Sequence, residues 1–207
     1  MKQPKIVIVD YNVGNTHSVW NAINALGYHK VKISSNEAEI FSADALILPG
    51  VGAFEACIEN LRTHHLDSIL NQAVLDQKKP ILGICVGMQL MATLGQENGT
   101  HRGLDWIPGT VKRLDVSQDY AVPHVGWNNI SFKEDCPIFE KVDQEANFYF
   151  DHSYSFSCDP QYVAAQSNYG IQITAGVQRE NIFGVQFHPE KSQNNGLKLF
   201  RSFFNNI

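Results

Sequence analysis

Two short stretches carry side chains suited to covalent chemistry: Gly83-Ile-Cys85-Val-Gly87 and, far downstream, His188-Pro-Glu190. Cys85 falls between the apolar run Pro80–Ile84, which reads as a buried strand, and Val86–Leu94, where Met88, Leu90, Met91 and Leu94 suit a helix. Gly-x-Cys-x-Gly at a strand-to-helix turn is the pattern of a nucleophile elbow, a bend too tight for side chains at the two flanking positions. A sulfur held there points out of the sheet at a helix N-terminus. Backbone N–H groups and the helix dipole favour the thiolate, the form that attacks a carbonyl. On these residues alone Cys85 is equally well a small core residue, as most free cysteines are.

A thiolate acting on an amide needs a partner that protonates the leaving group, and that partner needs an orienting group. His188 follows an apolar strand, Pro189 biases it towards extended geometry, and Glu190 is placed two residues on to accept from Nδ1–H. A lone histidine at a strand end is more often structural. The nearby carboxylate, the proline and the elbow cysteine together favour a Cys85–His188–Glu190 triad. The oxyanion of an acyl transfer also needs donors. Val86 N–H supplies one by elbow geometry. Pro49-Gly50-Val51-Gly52, at the end of another strand, offers Val51 N–H as the second, although by itself it reads as an ordinary glycine turn.

These groups must be positioned by alternating strands and helices. Lys5–Asp10, Val31–Ser34, Ala45–Leu48 and the run before Cys85 read as strands, with helical patterns at Thr16–Leu26, after Asn36, from Phe54 and from Leu66. This predicts an α/β fold, an open, mostly parallel sheet flanked by helices, with ligands at the strands' carboxyl ends. After Leu94 come short β-like runs at 109–114, 127–132, 147–154, 162–165, 171–177 and 182–187, expected as antiparallel strands extending one sheet edge. A helix closes the chain at 196–204. A single domain over 1–207 is expected from the length and the absence of a linker.

The formal net charge of −5 excludes a basic nucleic-acid face, and no apolar run approaches a membrane span. Four scattered cysteines, 57, 85, 136 and 158, fit reduced thiols in a soluble cytoplasmic protein rather than a disulfide framework. Cys57, Cys136 and Cys158 have no assigned role. His64, His65, His101 and His124 have no acid or cysteine at metal-ligand spacing and read as surface or core, so no metal is expected.

The motifs Pro-Gly-Val-Gly, Gly-Ile-Cys-Val-Gly-Met-Gln and Phe-His-Pro-Glu, in that order, resemble those of class I (triad) glutamine amidotransferases. Further stretches, including Asp10-Tyr, Gly103–Arg113, Pro123–Asn128, Phe148–Tyr154 and Gln186–Ser192, are similar to the glutaminase subunits of imidazole glycerol phosphate synthases over nearly the whole chain. The resemblance implies glutamine hydrolysis to glutamate and ammonia, no cofactor, and ammonia transfer through a tunnel to a cyclase subunit of (β/α)8 fold in a heterodimer. It implies Cys85 as nucleophile, His188 as acid/base and Glu190 as orienter. Gln89 and Glu97 would hold the substrate head group, with backbone of Gly50, Gly52, Ser153 and Tyr154 beside it. Asn12, Asn15, Trp127, Tyr149 and Lys191 would lie near the partner. Asn12 stands where glycine is common and Asp151 where an apolar residue is common, which leaves other ammonia acceptors open, such as a nucleotide sugar. A non-catalytic subunit and a cysteine peptidase are the readings of other classes.

Overall fold

The computed structural model describes residues 3–206; Met1, Lys2 and Ile207, which the expected 1–207 domain includes, lie outside the described residues. Apolar runs alternate with capped helices through the first half: β1 (Ile6–Val9), α1 (Thr16–Ala25), β2 (Val31–Ser34), α2 (Glu37–Ser42), β3 (Ala45–Gly50), α3 (Phe54–Thr63), α4 (Leu66–Asn71), β4 (Ile81–Cys85) and α5 (Val86–Gln89). Asn15 and Asn36 start α1 and α2 by accepting the N–H groups of Ser18 and Glu39, which helix starts otherwise leave unpaired. The second half supplies β5 (Ala92–Gly95), β6 (His101–Arg102), β7 (Ile107–Arg113), β8 (His124–Asn129), β9 (Ser131–Phe132), β10 (Asn147–His152), β11 (Tyr154–Cys158), β12 (Val163–Asn168), β13 (Gln172–Arg179), β14 (Ile182–Val185) and α6 (Gln193–Asn205).

The main sheet has the order β2-β1-β3-β4-β14-β13-β12-β9. Its first five strands are parallel, and the remaining ones extend the sheet antiparallel. The central strands β1, β3, β4 and β14 are buried throughout, which explains why they read as unbroken apolar runs rather than alternating ones.

Three expectations are corrected. The helix expected over Val86–Leu94 ends at Gln89, and Ala92–Gly95 is a strand. The carbonyls that would continue the helix are taken instead by another segment: Leu104 N donates to Leu90 O, and both Trp106 N and Ile107 N donate to Met91 O. With Leu90, Met91 and Ala92 all buried, no polar face remains to put towards water. Second, β14 is parallel to β4, not antiparallel. Third, only some later strands extend the main sheet. β11-β7-β5-β6 form a separate sheet and β8 pairs with β10 in a two-stranded ribbon, so the run 147–154 divides at Ser153 between two sheets.

The contact that sets the site's shape is backbone on backbone. A Cβ at Gly87 would lie 1.8 Å from the carbonyl oxygen of Leu48, and one at Gly83 would meet Gly87 O at 2.7 Å. These two neighbours are backbone atoms, which cannot swing aside as the Met91 tip near Gly83 can, so α5 must ride directly on β3 and β4. Gly87→Ala is expected to cost about 3 kcal/mol or more in denaturant unfolding, because the overlap moves backbone. A variant as stable as the parent chain would refute this packing.

Candidate active site

Cys85 is the last residue of β4 and sits at φ 54°, ψ −113°, a left-handed conformation that non-glycine residues avoid unless the surroundings enforce it. Parallel register supplies its neighbours. Gly50 of β3 lies opposite Cys85 on one side, and on the other Val185 pairs with Ile84, so the chain leaving β14 runs past the sulfur as Gln186-Phe187-His188. Cys85 is nearly buried, and its Sγ lies 3.7 Å from Gln186 Nε2 and 3.9 Å from Asp151 O.

His188 is extended, as Pro189 requires, but the chain then turns into a short 3₁₀ segment, Pro189–Lys191. Glu190 therefore reaches back through a turn and not along a strand face. Its Oε1 lies 2.8 Å from His188 Nδ1, with both side chains at 3% exposure or less. Glu190 Oε2 is buried without a hydrogen-bond partner among the described residues, so the carboxylate's only bond is to the imidazole. Burial pulls the His188 pKa down. The hydrogen bond with Cys85, that with Glu190, and the charges of both outweigh it and push the imidazole up to about 10. With Nδ1 engaged by Glu190, Nε2 is the nitrogen left for Cys85. The other three thiols are pushed up to about 11, chiefly by burial.

Cys85 and His188 open onto a cavity of about 270 Å³, also lined by Val51, Gly52, Val86, Gln89, Glu97, Pro123, Asp151, His152, Ser153, Tyr154 and Lys191. That is smaller than drug-sized sites and suits a small polar molecule. A larger hollow of about 500 Å³ at the β9–β12 edge contains no acid–base pair. Of the residues expected near a substrate, Val51, Gly52, Val86, Gln89, Glu97, Ser153 and Tyr154 line this cavity together with Cys85 and His188. Glu97 Oε2 also accepts from Phe54 N at 2.7 Å, capping α3, which has no side-chain cap from its own N-cap residue. The carbonyl of Tyr154 already accepts from Gln89 Nε2 and lies 2.8 Å from His152 Nδ1, and that of Ser153 accepts from Leu114 N. Gly50 lies beneath the loop rather than in the wall, where the buried Tyr11 hydroxyl donates to Pro49 O at 2.6 Å.

Asn12 and Asn15 do not reach the cavity. Asn12 occupies φ 62°, which explains how asparagine replaces glycine there, and Asn15 caps α1. Gln186, His152, Pro123 and Asp151 had no role expected from the sequence. Only Gln186 had a legible signal, as the polar residue immediately following an apolar central strand. His124 is core, not surface: its Nδ1 lies 3.1 Å from His152 Nε2, and burial lowers both histidines to about 4.

Beside the cavity mouth the β8–β10 ribbon presents Val125, Trp127 (46% exposed) and Tyr149. Trp127 meets Tyr149 edge-on at 6.1 Å, and Lys191 Nζ lies 5.3 Å from the Tyr149 ring centre and 3.9 Å from Asp151. Among the described residues, no helix is long and apolar enough to cross a membrane.

The family model for class-I glutamine amidotransferases matches residues 7–207. The chain is 47% identical over 199 residues to imidazole glycerol phosphate synthase subunit HisH 2 of Vibrio vulnificus, covering 96% of this chain and 93% of that protein. It is 42% identical over 205 residues to subunit HisH of Pelagibacter ubique, covering 97% and 99%. Among solved structures, PurLQS from Thermotoga maritima superposes with a TM-score of 0.74 at 17% identity, covering 99% of each chain. The glutaminase domain of Trypanosoma brucei CTPS superposes with a TM-score of 0.66 at 14% identity, covering 97% and 93%. At those identities the superpositions speak for the fold alone. The family match and the curated relatives decide the rest: the chain belongs to the class-I glutamine amidotransferases.

Proposed function

We propose that this chain is the glutaminase subunit of an imidazole glycerol phosphate synthase, a cytoplasmic enzyme of histidine biosynthesis, and that its 1–207 span acts as one glutamine amidotransferase domain. The observation that carries the reading is a strained, nearly buried cysteine and a Glu190-held histidine opening onto one small polar cavity, in a chain 47% identical to a HisH subunit.

In this reading Cys85 Sγ attacks the side-chain carboxamide carbon of glutamine. The oxygen takes the negative charge facing the N–H groups of Val86 and Val51, and His188 protonates the nitrogen as the C–N bond breaks. Ammonia leaves and a thioester remains on Cys85. His188, now neutral, takes a proton from water, whose oxygen attacks the thioester and releases glutamate and the thiolate. Glu190 keeps the imidazole oriented throughout. Glu97 meets the substrate ammonium with the carboxylate oxygen that does not cap α3.

Released ammonia needs a dry route, since in neutral water it protonates and loses the lone pair that attacks. The exposed ribbon supports a partner beside the cavity mouth: Trp127 and Tyr149 are the aromatic type that anchors interfaces, and Lys191 is a charge at their edge. The partner is the synthase's cyclase subunit of (β/α)8 fold.

A glutamine-mimicking chloroketone is expected to label Cys85 and to lose that label in Cys85→Ala, with glutaminase turnover lost alongside. Labelling elsewhere contradicts the assignment. Trp127→Ala is expected to weaken the complex by about 2 kcal/mol, roughly 30-fold in Kd, while the unpartnered rate is unchanged. Glu190→Gln removes one of the upward pulls on His188, so the imidazole midpoint followed by NMR drops well below about 10. Because His188 titrates above its ordinary 6.5 in the folded chain, its pairing stabilises the fold fully below that value and fades as pH rises to about 10. The stability gap between parent and Glu190→Gln therefore narrows across that window. An unmoved midpoint argues against the pairing.

A further inference from the structure

Gln186 is fully buried immediately after β14, beside Cys85, and none of the steps above uses it. Its orientation follows from a backbone group. Gln89 Nε2 lies 3.0 Å from the Tyr154 carbonyl, which only accepts, so this end of the Gln89 amide is the nitrogen. The same nitrogen lies 3.0 Å from Gln186, so Gln186 must present its oxygen there. The Gln186 nitrogen is then turned to Cys85 Sγ at 3.7 Å.

We propose that Gln186, locked by Gln89, donates an N–H to the Cys85 sulfur and so favours the thiolate in the orientation that faces His188. Gln89 is in this sense a positioning residue acting through Gln186. Both of its amide hydrogens are spent on Tyr154 and Gln186, so it offers the cavity an oxygen only. What it recognises on a substrate is a donor, an ammonium or an amide NH₂. The inference rests on the glutaminase reading for its role in turnover, but not for the effect on the thiol.

The test is the pH dependence of iodoacetamide alkylation at Cys85, read by peptide mass spectrometry in the full chain. The titratable groups around this sulfur are His188 with Glu190 behind it, Asp151, His152, Lys191 and Glu97, which line the same cavity, and Tyr11 and Cys57 beneath it, and all are retained in the variants. Gln186→Glu still accepts from Gln89 but turns an oxygen to the sulfur, so the alkylation midpoint is expected to rise by about one pH unit or more. Gln186→Met removes the donor at similar size and gives a smaller rise. In both, kcat for glutamine falls about 10-fold while KM changes little, and raising the pH restores part of it. Alkylation curves that superimpose on the parent's, with only the melting temperature lowered, overturn the proposal. If Gln186→Glu does not fold, the side-chain NH₂ resonance of Gln186 in the parent chain should move with the Cys85 alkylation midpoint, and a resonance that stays still overturns it equally. Absence of glutamine turnover in every form would refute the glutaminase reading and leave the alkylation curves to judge Gln186.

Discussion

Everything at this site depends on one close approach, the backbone of α5 lying on the carbonyl end of β3. Leu48 O and Gly87 are near enough that no side chain fits between them. That contact leaves β4 no room to enter its helix gradually, and Cys85 takes a positive φ as a result. The strain is retained because buried strands on both sides over-determine it. A loosely packed elbow would relax and move the sulfur off the line to His188.

The second constraint is register. Val185 opposite Ile84 fixes where the chain leaving β14 passes the sulfur, and Pro189 then turns it so that Glu190 folds back onto His188. The donor amide, the imidazole and the carboxylate all come from one five-residue stretch, Gln186–Glu190. Strand β10 closes the arrangement. His188 N donates to Tyr149 O, Tyr149 N donates to Ser192 Oγ, and Ser192 Oγ donates to His188 O, while Asp151 O lies against the thiol. The strand whose outward side chains form the exposed ribbon is thus tied by its backbone to both Cys85 and His188. Displacement of β10 by anything docking on that ribbon would be felt at the sulfur and the imidazole together.

Polar satisfaction, more than area, organises the cavity wall. Tyr154 O is bonded to two side chains, Gln89 and His152, and Glu97 both caps α3 and borders the cavity. Such bonds hold the wall side chains in place before any ligand arrives, which lowers the ordering cost of binding. They also limit what each group has left to offer: an oxygen from Gln89, the second oxygen of Glu97, one remaining lone pair on the Ser153 carbonyl, and a Tyr154 carbonyl already bonded twice.

The sequence by itself determined the elbow, the His-x-Glu pair and the alternating half of the fold. Those signals are local: apolar runs, flanking glycines, and a proline whose ring restricts its neighbour. It also supplied the motif order that marks the family. Only the tertiary structure decided that the helix after Cys85 stops at Gln89, because the bonds that end it come from Leu104–Ile107, a segment with no periodic relation to it. It alone divided the later strands among three sheets, since short β-like runs state a propensity and not a partner. It alone placed Gln186 against the sulfur and His152 and Asp151 in the wall. Those placements depend on which strands lie side by side, and residues far apart in the chain carry no local trace of that.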